Sequence, residues 1–171
     1  MRKRGYDMAM GAVLAALAVA LLYAGCLIPS FELIFGAAAG LVIGTAVTMI
    51  GLRGGLLCWA ASGLLALLVL PLKEAAGLYL IFFGLYPAVK SWLERRKNRA
   101  LEWVGKLAFF NLVFAVSLTA FRAFLLEGVE LPWPVLLVGG NLFLVLYDYV
   151  FSRWMTLIQF RVVEPWNRRR R

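Results

Sequence analysis

Six apolar stretches, each roughly long enough to cross a bilayer, alternate with short polar interruptions from one end of the chain to the other. They lie near 8–28, 31–51, 54–71, 75–93, 107–126 and 134–154. Runs of about 18 or more apolar residues with few charges read as transmembrane helices. Pro29-Ser30 breaks the first pair, GLRGG (51–55) the second and PLKE (71–74) the third. ERRKNRALEW (94–103) and EGVELPWP (127–134) separate the remaining ones. The pattern predicts an all-α integral membrane protein: one domain over 1–171, a six-helix bundle whose short connections make neighbours antiparallel.

Composition agrees, with 63% hydrophobic residues and 16% charged, and a mean hydropathy of +0.84. A net charge of +9 raises the question of nucleic acid. Its placement answers otherwise, because no long polar segment exists on which a basic groove could form. With the N-terminus inside, segments 1–7, 51–55, 90–106 and the tail from Arg153 hold 16 of the 18 Lys and Arg. The positive-inside rule then gives both termini a cytoplasmic location in the cell membrane. Arg168–Arg171 reads as an anchor to anionic membrane lipid. MRKR before an apolar run and YAGC (23–26) resemble a lipoprotein leader. The apolar continuation after Cys26 favours a retained first helix. Cys26 and Cys58 fall in different spans toward opposite faces, so no disulfide is expected.

Function classes narrow by elimination. The chain has no histidine, hence no Ser–His or Cys–His dyad and no usual metal ligand. It also has no phosphate-cradling glycine loop. No enzyme, metal site or cofactor is expected, and any energy coupling must come from a partner.

Small residues recur at helical spacing. Ala12, Ala16, Ala20 and Ala24 mark one face of the first span, and Gly36, Gly40 and Gly44 one face of the second. In lipid, helices associate by close packing, which small side chains permit. The glycines are expected to pack the bundle, and the alanines either do the same or dock on another protein. A chain of this length, with six spans, both ends inside and an A-x-x-x-A first helix, resembles the substrate-binding S components of energy-coupling factor (ECF) transporters. That resemblance implies that Ala12, Ala16, Ala20 and Ala24 dock on a transmembrane coupling subunit carrying ATPases. It also implies that a small molecule is taken up from the outer side, into a pocket among spans 4 to 6. The alternative is a scaffold similar to the cell-shape protein MreD, which works through partners and transports nothing.

Polar residues inside spans are costly and are candidates for function. Asn111 and Asp148 are expected at one level between spans 5 and 6, with Ser117 level with Asn141, as an intramembrane polar seam. Arg153 is a possible ion-pair partner for Asp148. An outer rim of Glu32, Lys73, Glu74, Tyr79, Arg122, Glu127, Glu130 and Trp133 could surround a pocket. Arg122, Trp133 and Asn141, with Glu32 and Tyr79, are the candidate ligand contacts. Pro87 is expected to kink span 4, and the basic segment beyond it to lie as a short amphipathic helix on the inner surface.

Overall fold

The computed structural model describes residues 2–28, 30–94, 99–120 and 132–165, and is helical almost throughout. Side chains of residues 2–4, 118, 120 and 133 lie outside that description. Helix α1 spans Arg2–Leu27 and α2 Glu32–Val69. A short α3 (Lys73–Leu78) runs into the π-helical turn π1 (Tyr79–Phe83), followed by α4 (Tyr86–Glu94). Then come α5 (Arg99–Ala120), α6 (Trp133–Ile158) and a second π turn, Gln159–Val163. Among the described residues, five helical stretches are long and apolar enough to cross a membrane.

The interruptions have local causes. Ser30 adopts a positive φ of 69° in the turn before α2. Within α2, Gly51 leaves the helix at φ 82°, ψ 171°, a conformation that glycine adopts without a Cβ clash. A straight helix of 38 residues would run about 57 Å, yet α2 doubles back. Gly40 lies against the Phe83 carbonyl while Trp59 lies against the adjacent Gly84. On the far side of the turn, Gly55 packs directly on Val47. The expected polar loop at 51–55 is therefore a single non-helical residue between two helical halves.

The helical span Lys73–Glu94 is interrupted beside Pro87, as expected. Regular α-helix stops at Leu78 and resumes at Tyr86, and Pro87 has no N–H to offer the Phe83 carbonyl four residues back. The irregularity lies just upstream, where the Gly84 N–H reaches back to the Tyr79 carbonyl at 2.8 Å. Of the basic segment 90–103, residues 90–94 complete α4 and 99–103 open α5, while 95–98 lie outside the described residues. Lys73, expected on an outer rim, donates to the Leu67 and Leu70 carbonyls at 2.7 and 2.9 Å and closes the end of α2.

The core forms where the first half of α2 meets π1, α4 and α6. Gly36, Gly40 and Gly44 are all buried. A Cβ at Gly36 would fall 2.9 Å from the Phe83 ring, one at Gly40 2.6 Å from the Phe83 carbonyl, and one at Gly44 2.8 Å from the Met155 methyl. The stripe is the groove into which an aromatic ridge settles. Phe82, Phe83, Tyr86, Phe110, Tyr147 and Phe151 form that ridge, with ring centroids 4.9 to 5.9 Å apart in successive pairs. Aromatic pairs at such spacing add to burial.

Candidate functional site

At the end of the bundle that carries Gly51, three helices each contribute polar residues four apart. Tyr86, Lys90 and Glu94 lie on α4, Glu102 and Lys106 on α5, and Asp148 and Ser152 on α6. That spacing stacks each set on one helix face. Asp148 is the hub. Its Oδ1 accepts from the Lys90 ammonium and from the Tyr86 hydroxyl at 2.5 Å, and its Oδ2 from Lys106 at 3.2 Å. Lys90 also meets Glu94 Oε1 at 2.6 Å and donates to Ser152 Oγ at 2.9 Å. Lys106 reaches Glu102 at 2.6 Å and Glu94 at 3.2 Å.

Lys90, Lys106 and Asp148 are all more than nine-tenths buried. Charges so placed are stable only when paired and hydrogen-bonded. The arrangement meets that requirement and ties α4, α5 and α6 together at one level. Arg153, the expected partner of Asp148, instead donates to the Tyr149 hydroxyl on its own helix.

Beside the cluster opens a cavity of about 590 Å3. Lys90, Glu94, Ser152, Thr48 and Thr156 are among its polar lining, and Val47, Met155, Phe151 and Phe160 among its apolar lining. The opposite end of the bundle holds a second hollow of about 390 Å3, between π1, α5 and α6. Phe82, Phe110, Phe114 and Phe143 line this crevice together with Gly139, Gly140 and Ser117. It is almost wholly apolar. The Ser117 hydroxyl is buried with no hydrogen-bond partner among the described residues.

The expected site residues scatter. Asn111 pairs with Asn141, their amides exchanging hydrogen bonds of 3.1 and 3.3 Å, one level away from Asp148 rather than beside it. Tyr79 is not on a rim: it is fully buried, and its hydroxyl meets Ser62 Oγ at 2.7 Å. Glu32 opens α2 and is half-buried. Arg122, Glu127, Glu130 and the Trp133 side chain lie outside the described residues. On α1, Ala12, Ala16 and Ala20 are exposed and Ala24 is half-buried. The face that meets the rest of the bundle is a different one, made by Leu14, Ala15, Ala18 and Leu22. Cys26 and Cys58 are free thiols.

Lys90, Lys106, Glu94 and Glu102 are residues that sequence reasoning missed, since 90–106 reads as a basic inner segment, and Tyr86 was missed inside the apolar run of span 4. The four-residue spacings were the available signal. Comparison with protein-family models, curated proteins and solved structures finds no match to the chain.

Proposed function

We propose that the chain is a six-span membrane subunit with both termini cytoplasmic, the two halves of α2 crossing separately, and that it works by docking on a second membrane protein. In this reading it resembles an S component of an ECF-type uptake transporter. The alanine face of α1 meets a coupling subunit with its ATPases, and the apolar crevice takes up a small molecule. The observation that carries the proposal is the outward orientation of Ala12, Ala16 and Ala20. Internal packing does not use that stripe, and small side chains at four-residue spacing let a foreign helix approach closely. The crevice lies among the elements where the resemblance puts a ligand, and its aromatic walls fit an apolar body better than a charged one.

Purification in mild detergent from native membranes, with mass spectrometry of retained proteins, tests this. Recovery of a polytopic coupling subunit with ATPases is expected, and is lost in the Ala16→Leu/Ala20→Leu variant. Because both positions are exposed, the variant keeps its own fold. Recovery of cell-envelope proteins without ATPases would instead support the MreD-like scaffold. One observation favours that alternative: most buried polar groups bond to one another, leaving few for a transported ligand.

A further inference from the structure

We propose that the cavity beside Lys90 is a binding site for an organic ammonium cation. This site is separate from the apolar crevice and stands whether or not a partner docks on α1.

The hydrogens along the lining of this cavity are already committed. An ammonium group has three to donate and a hydroxyl one. Lys90 directs its three at Asp148, Glu94 and Ser152. Ser152 donates to the Asp148 carbonyl at 2.8 Å, Thr156 to the Ser152 carbonyl at 2.9 Å and Thr48 to the Gly44 carbonyl at 2.9 Å. These groups therefore turn lone pairs, not hydrogens, toward the cavity. Ser91 and Gln159 add neutral groups that can serve either way.

Charge points the same way. The cluster joins two ammonium groups to three carboxylates, Asp148, Glu94 and Glu102, and so carries one net negative charge. Glu94 brings that excess to the cavity: its side chain is 43% exposed, and both lysines bind it through Oε1, leaving Oε2 outside those ion pairs. Phe151 and Phe160 supply aromatic surface, which attracts cations. Among the described residues an anion would find the one lining ammonium already committed and a carboxylate in the same lining. Among the described residues no group of three His, Cys, Asp or Glu could hold a metal ion. A cation that donates hydrogens and carries apolar bulk satisfies every wall at once.

The test is calorimetric titration of the full chain in nanodiscs of zwitterionic lipid, with three probes of one size: 2-phenylethylammonium, 2-phenylethanol and phenylacetate. Saturable binding of 2-phenylethylammonium is expected, with neither of the others binding at the same concentration. Glu94→Gln should weaken it by about tenfold or more, while Ser117→Ala in the far crevice leaves it unchanged. Should Glu94→Gln lose its monodisperse gel-filtration profile, Thr156→Val removes one acceptor without touching the ion cluster and should weaken binding several-fold. Phenylacetate binding as well as the ammonium, no saturable ammonium binding, or unchanged affinity in the well-folded variants would each overturn the proposal.

Discussion

The two ends of the bundle solve opposite problems. At the Gly51 end, charged groups are buried in mutual contact, and the neighbouring cavity is walled by hydroxyls and a carboxylate. At the other end, rings pack around a crevice whose Ser117 hydroxyl has no partner among the described residues. The first region is held by pairing, so removing one member strands the others. The second is held by shape, and its Ser117 hydroxyl makes no hydrogen bond among the described residues. Stability and ligand chemistry are thus distributed unequally along the helices: a lesion at one end should unfold, and at the other should leave the scaffold intact.

The sharpest way to break this contrast is Asp148→Ala. It leaves two buried ammonium groups short of a partner, and a cost of about 3–5 kcal/mol is expected, read as lost thermal stability of the detergent-purified protein. Arg153→Ala, one turn further on, should stay within about 0.5 kcal/mol. Equal effects of the two would mean that Asp148 is not the hub. Gly40→Leu forces a side chain against the Phe83 carbonyl and the Tyr147 hydroxyl. Overpacking of that kind costs roughly 1–3 kcal/mol, and the same assay reads it. Asn111→Ala removes the amide pair with Asn141 and should cost roughly 0.6 kcal/mol. A loss as large as that of Asp148→Ala would make the asparagines part of the cluster. The smallest effect is assigned to Ser117→Ala, within about 0.5 kcal/mol of zero. A clear destabilisation there would show that the hydroxyl has a partner.

Much of the helical layout was legible because apolar length and glycine or proline punctuation act locally. Gly51 is where the pattern predicts a break, although the chain needs one residue there rather than five. The Gly36–Gly40–Gly44 stripe could be placed on one face by spacing alone, but its partners could not, since Phe83 and Tyr147 are distant in sequence. Pairing depth between α5 and α6 was misread. The sequence pattern places Asn111 level with Asp148. The helices instead settle with Lys106 opposite Asp148 and Asn111 opposite Asn141. Buried charge sets that register, because Asp148 must reach the lysines. Lys90 and Lys106 were hidden by their company: within a run rich in Arg and Lys they look like loop charges, and only the third dimension separates them. Tyr79 misled for the reverse reason, since a tyrosine near a predicted boundary reads as interfacial, whereas this hydroxyl finds Ser62 inside the bundle.

The alanine face of α1 carries the functional account, and photo-crosslinking in native membranes interrogates it directly. A photoreactive residue at Ala16 should capture a polytopic membrane protein that itself associates with ATPases. The same residue at Val138, an exposed position on α6, should capture only lipid. Lipid adducts alone at Ala16, under conditions where the protein is folded and in its native membrane, would contradict docking through that face.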